Sequence, residues 1–473
     1  MTERIDGAVL QSGSIVPSTE RPPFEDGMAG RSAEENCPHT RIRRVALASF
    51  VGTAVEWYDF FLYGTASALV FRKLFFPNFS ALPGTLASFA SFGVGFIARP
   101  IGGIFFGHFG DRVGRKSMLV VTLILMGAAT FLIGLLPTFE QVGILASVLL
   151  VVLRLVQGFA VGGEWGGATL MAVEHAPDKS RHFYASWPQL GVPAGFVLST
   201  TVFAVFSSLP EKQFLVWGWR LPFLLSIVLI ATGLFMRLRI EETPAFAQLK
   251  ESGTTFRIPM LEVLRKYSSA AALATGVVFV SSSGHYLVSV FGLLYLTERL
   301  GVARGIVLTG LLLGSAISGT GILLFARVAD RLGRQAVAIS SAAFLLLLSY
   351  PYFWLINSRQ TALIWLALSL WGFAGGALYG ITGVLLATLF EARVRYSGIS
   401  LSYQMAGVLG GAPAPVIATL LLHWTRGATW PVATYLAVSS LITLVAVCFV
   451  SVRHREPIDH ISSSRFMAPD DTS

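Results

Sequence analysis

From about residue 45 to residue 450 the chain alternates between long apolar runs and short polar breaks. Each run is about 20 residues long, enough helix at 1.5 Å per residue to cross a bilayer core of roughly 30 Å. The runs are centred near residues 58, 96, 127, 158, 197, 229, 284, 315, 345, 376, 411 and 441. None shows the period-two alternation of a barrel strand, and backbone groups in lipid must pair within their own segment. The pattern predicts an all-α membrane protein with twelve transmembrane helices.

The polar breaks repeat. The break after the second run reads GHFGDRVGRK (107–116), and the break after the eighth reads ARVADRLGRQ (326–335). Asp111 aligns with Asp330, Arg112 with Arg331, Gly114 with Gly333 and Arg115 with Arg334. A second echo pairs EHAPDKSRHFYAS (174–186) with FEARVRYSGIS (390–400). Two parallel six-helix bundles follow, at 41–239 and 269–455, joined by a polar cytoplasmic linker at 240–268. Residues 1–40 and 456–473 read as cytoplasmic tails, the first disordered. In such a repeat the substrate site belongs near the midplane between the halves.

Composition agrees. The chain is 54% hydrophobic and 13% charged, too little polar sequence to coat a soluble core of this size. The net charge of +9 is explained by position. Lys and Arg cluster in the even-numbered breaks and near both ends, for example at Arg43 and Arg44, Arg112 and Lys116, Arg327 and Arg331. This is the bias that holds such loops in the cytoplasm. It places both termini there and removes the case for a nucleic-acid partner. Two cysteines, Cys37 and Cys448, give no metal spacing and no disulfide framework. No cofactor and no metal are expected. The runs contain no HExxH, no GxSxG and no His/Cys cluster, so nothing suggests an enzyme. No repeated filter-like loop suggests a channel.

Charges inside apolar runs are costly, about 2.5–3.5 kcal/mol each at the bilayer centre even on a lenient scale. Five stand out: Glu56, Asp59, Arg99, Arg154 and Glu164. Glu56, Asp59 and Tyr63 share a helical wedge of about 60°, and Arg154, Gln157, Val161, Glu164 and Trp165 an arc of roughly 100°. Two acids beside arginines form a pair able to take up and release a proton. Asp59 is the first candidate for that proton, with Glu56 its partner and Glu164 a third. The alternative is a static cluster that locks helices one, two and four together. Arg154 offers a planar fork for a carboxylate, Gln157 an amide and Trp165 a ring face. Arg99, next to Pro100, reads more as structural, with a substrate role second. Further cavity candidates are Tyr63, Gln189, His285, Tyr379 and Tyr403. His285 shares a face with Ser281, Ser282 and Ser289.

The motifs also carry a resemblance. DRxGRK and its second copy resemble the signature of the major facilitator superfamily. EWYDFFLYG, ARPIGG, RLVQGFAVGGEWGGA, GWRLPFLLS, EETPAF and LFEARVRYSG, in register over about 45–455, resemble its metabolite:proton symporter family. GGEWGGATLMAVEHAP is most similar to the shikimate-transporter branch. The resemblance implies a monomeric symporter driven by the proton gradient. It would import a small organic anion, shikimate or another hydroxy, aromatic or dicarboxylic acid, by alternating access. A proline or betaine carrier is the alternative. The resemblance also implies gating contacts among Asp111, Arg115, Glu174, Arg181, Asp330, Arg334, Glu391 and Arg395, which hold the outward-open state and break as the halves rock.

Overall fold

The computed structural model describes residues 38–78, 81–239, 242–243, 246 and 259–453; within these, the side chains of 38–41, 68, 81–90, 92 and 451–453 are not described. Most of both expected tails and of the linker lies outside the described residues. The chain divides into two units, Met1–Arg41 and Ile42–Ser473, and all that follows concerns the second.

Every described regular element is a helix. Eleven have the length and hydropathy of a membrane span: α1 Ile42–Ala66, α3 Arg115–Leu135, α4 Ile144–His175, α5 Asp178–Ser207, α6 Glu211–Leu238, α7 Ser268–Arg299, α8 Arg304–Leu332, α9 Arg334–Asn357, α10 Thr361–Ala387, α11 Arg395–Trp424 and α12 Trp430–Val450. Ala81–Gly110 is α2 and completes the twelve. Each predicted run centre falls inside one of them. A short amphipathic helix, Pro259–Lys266, precedes α7.

Within the first half α2 packs on α4, and α3 on α4 and α6; in the second α8 packs on α10, and α9 and α7 on α12. Lipid provides little hydrophobic drive between helices, so close contact needs small residues. A Cβ on Gly158 of α4 would stand 2.1 Å from the Gly95 carbonyl of α2, and one on Gly372 of α10 would stand 2.3 Å from the Gly314 carbonyl of α8. The halves meet where α2 packs on α11 and α5 on α8. The repeated loops fold alike: Gly114 and Gly333 have φ of 130° and 90° and open α3 and α9. Backbone irregularity repeats too. Among the described residues π-helical turns occur at Ser67–Phe71, just past α1, at Phe214–Gly218 in α6, at Leu287–Phe291 and Tyr295–Arg299 in α7, and at Gly407–Gly411 in α11. Such turns weaken the regular ladder and bend a helix, and two of them, Leu287–Phe291 and Gly407–Gly411, border the central cavity.

Candidate functional site

A cavity of about 160 Å³ lies between the halves. The first half contributes Trp57 and Phe61 from α1 and Arg99 from α2. The second contributes His285 from α7 and the tyrosines Tyr379 and Tyr403. Cavities of roughly this volume hold one benzene ring. Trp165, on α4, backs the wall by stacking on Tyr403, ring centroids 3.9 Å apart and 11° from parallel. The Tyr379 and Tyr403 hydroxyls are 3.0 Å apart.

A second cavity, of about 10 Å³, lies inside the first half and is lined by Glu56, Asp59, Phe60, Arg99, Arg154 and Gln157, among others. That is at the lower limit for one water, so no organic acid fits there. Glu56, Asp59, Arg154 and Gln157 are all 3% exposed or less. Neither carboxylate oxygen of Asp59 accepts a hydrogen bond, nor does Oε2 of Glu56. Gln157 donates to Thr130 Oγ1 at 2.6 Å and accepts from Arg154 Nη1 at 3.3 Å. The two guanidinium carbons lie 4.6 Å (Arg99) and 5.1 Å (Arg154) from the centre of the Phe60 ring. Tyr63 supports Arg154 from the other side, 4.2 Å from its ring, and bonds Ser91. Arg99 lines both cavities.

The structure therefore divides what the sequence treats as one stripe on α4. Arg154, expected to hold the substrate, stands on the small cavity with the acids. Arg99, expected to be mainly structural, stands on the large one. Glu164 turns a third way: it forms a buried ion pair with Arg237 of α6 and accepts from Thr122 at 2.7 Å. Arg237 is 3% exposed and also donates to the Leu119 carbonyl. It is a sixth intramembrane charge, hidden by its position one turn from the end of an apolar run. Gln189 is buried away from the cavity, its amide nitrogen facing the Ala185 carbonyl at 2.8 Å. Trp57 and Tyr286, cavity residues that sequence reasoning passed over, are ordinary aromatic members of an apolar run; nothing in their pattern marks them.

The end of the bundle that carries the repeated loops is closed by contacts between the halves. Asp111 accepts from the backbone nitrogens of Tyr396 and Ser397 (3.2 and 2.9 Å) and from the Ser397 hydroxyl (2.8 Å), capping the start of α11. Glu174, at the end of α4, pairs with both Arg115 and Arg395. In the second copy Asp330 accepts from the backbone nitrogens of His182 and Phe183 (2.9 and 3.1 Å) and contacts His182 Nδ1 at 2.8 Å. The three-way bridge is not repeated there. Arg181 pairs with Asp178 and Glu391 with Arg393, each within its own loop, and Arg334 joins no ion pair among the described residues. Two residues of the EETPAF motif dock on the first lock: Glu242 accepts from the Lys116 backbone nitrogen at 3.1 Å, and Thr243 from Arg115 at 3.1 Å.

A sequence profile described as Major Facilitator Superfamily matches residues 49–415. This chain belongs to that superfamily. It is 42% identical to the Shikimate transporter of Escherichia coli (strain K12), over 88% of this chain and 96% of that protein. It is 38% identical to the Inner membrane metabolite transport protein YhjE of the same organism (89% and 97%), and 32% identical to its Proline/betaine transporter (86% and 82%). Among solved structures, the proton:xylose symporter XylE bound to 6-bromo-6-deoxy-D-glucose superposes with a TM-score of 0.72 at 16% identity, over 88% of this chain and 96% of that one. That likeness concerns the fold. The chain is thus a multi-pass membrane transporter of the major facilitator fold, akin to the metabolite:proton symporter family, and not an enzyme.

Proposed function

We propose that this transporter is a proton-coupled importer of a small organic acid, working by alternating access in a bacterial inner membrane with both termini in the cytoplasm. The observation that carries the reading is that one cation, Arg99, borders both the ring-sized cavity and the small cavity with two carboxyl groups. In the small cavity two acids balance two arginines. A carboxylate entering beside Arg99 adds a third negative charge in a poorly solvated space. At an effective dielectric near 20, like charges about 4 Å apart repel by about 4 kcal/mol. A proton on Asp59 or Glu56 removes that penalty, so anion and proton enter together. Asp59, with no hydrogen bond to surrender, is the primary proton carrier and Glu56 its partner. Arg154 keeps the acids' field balanced, while Glu164 is tied to Arg237 and serves packing.

The substrate class follows from the large cavity: a guanidinium for a carboxylate, aromatic walls for a ring, and room for about one ring. The relative named shikimate transporter supports a hydroxylated or aromatic acid. The runner-up is a proline- or betaine-type zwitterion, supported by the relatives named for those compounds at 32–33% identity and by aromatic faces suited to an ammonium group. The central cavity is lined by residues of one chain, in keeping with a monomer as the working unit. The test is uptake by purified protein in liposomes. Inward acid accumulation should follow an imposed pH gradient and collapse with a protonophore. Accumulation of betaine that no carboxylic acid competes with would overturn the acid reading.

A further inference from the structure

We propose that Trp57, Ser281 and His285 form a hydroxyl-reading wall of the central cavity, so that the carrier selects a ring acid bearing hydroxyl groups over the same acid without them. This rests on the acid-carrier reading and sharpens its substrate. Three polar atoms, Trp57 Nε1, Ser281 Oγ and His285 Nε2, are buried without a hydrogen-bond partner, and all three residues line the large cavity. The Trp57 and His285 rings meet edge to face, centroids 6.2 Å apart, so the two residues are neighbours on the cavity lining. Several other polar groups of the wall are already engaged. The Tyr379 and Tyr403 hydroxyls face each other at 3.0 Å, Gln404 donates to the Gly162 carbonyl at 3.1 Å, and Ser289 donates to the His285 carbonyl at 2.6 Å.

Unpaired buried polar groups are rare, and each is a demand for a partner. The three here offer a donor (the indole N–H), a donor–acceptor (the serine hydroxyl) and a ring nitrogen that donates or accepts according to tautomer. Hydroxyl groups satisfy all three. A carboxylate already held by Arg99 does not, and a quaternary ammonium offers nothing to them. Sites built to bond a substrate hydroxyl discriminate strongly against the analogue lacking it, because the protein groups are then stranded.

The probes are shikimate and cyclohex-1-ene-1-carboxylate, which share ring and carboxylate and differ in the hydroxyls. Their affinities are measured by calorimetry on the full-length protein in lipid nanodiscs, with a melting curve for every variant. Wild type should prefer shikimate by at least about tenfold, the scale of one or more hydrogen bonds. Trp57→Phe, which loses only the N–H end, and Ser281→Ala should each pull the ratio several-fold toward one. Ser281→Thr, which keeps the hydroxyl, should preserve it. A ratio unchanged in both Trp57→Phe and Ser281→Ala, or equal binding of the two acids by wild type, overturns the hydroxyl-reading wall and leaves the acid carrier standing. Binding of betaine but neither acid overturns the acid carrier, and the wall with it.

Discussion

Asp59 is buried beside Arg154 and Thr130 but gives neither oxygen a hydrogen bond. Replacing it by Asn keeps its size and breaks no hydrogen bond, but removes the titration and the negative charge that faces Arg154. Asp59→Asn should abolish pH-gradient-driven accumulation while leaving substrate exchange across the liposome membrane within a few-fold of wild type; full accumulation in that variant would exclude the residue as the proton carrier. Glu164 responds differently, because its partner is fixed. Removing one member of a buried pair strands the other charge, at a cost of about 3–5 kcal/mol, whereas removing both is far milder. Arg237→Gln should lower the melting temperature sharply, and Glu164→Gln in the same chain should restore most of the loss. A double variant as unstable as the single one would count against the pair. The acids were legible in the sequence because a charge in an apolar run stands out. Their division between the small cavity and the Arg237 pair was not, since helical periodicity fixes which side chains share a face but not which neighbour that face meets.

At the scale of elements, the repeated loops were legible because their spacing and turn glycines recur. What they would grip was not. Asp111 lies past the end of α2, and burial pushes its carboxyl up to about 6 against the pull of Arg115 and the hydrogen bonds from Ser397 and Tyr396. Arg395 and Tyr396 are the other ionisable groups around it. When the end opens and the carboxyl is hydrated, its pKa returns to about 3.9. The closed form thus binds the proton more tightly than the open form. Closure should strengthen as pH falls through about 6, by on the order of 3 kcal/mol, level off below about 4, and weaken again as pH rises. Distances between spin labels at Val113 and Arg393, in a background lacking Cys37 and Cys448, should report that step. Asp111→Asn should remove it. A step of equal size in the Asn variant would assign the titration elsewhere.

For the molecule as a whole, the twelve-helix plan was legible and the asymmetry of its halves was not. The two halves share their loop motifs, yet the first lock is an ion-bridged joint and the second a capped helix end with a histidine. Local competition explains the difference. Arg181 stands where Arg395 does in the repeat, but Asp178, three residues before it, claims its guanidinium, and the matching position in the second half is Ala392. The midplane is equally lopsided. Glu56, Asp59, Arg99 and Arg154 all belong to the first half, two charges of each sign. That balance has an electrical consequence. A monoanion that travels with a single proton moves no net charge, so the membrane voltage neither helps nor hinders it. With a second proton on the partner acid, one positive charge would cross, worth about 2.3 kcal/mol per 100 mV, or nearly fifty-fold in accumulation. With the voltage clamped by potassium and valinomycin at a fixed pH gradient, the accumulation ratio should stay the same at 0 and at −100 mV, and the carrier would then concentrate its acid as well in a depolarised cell as in an energised one.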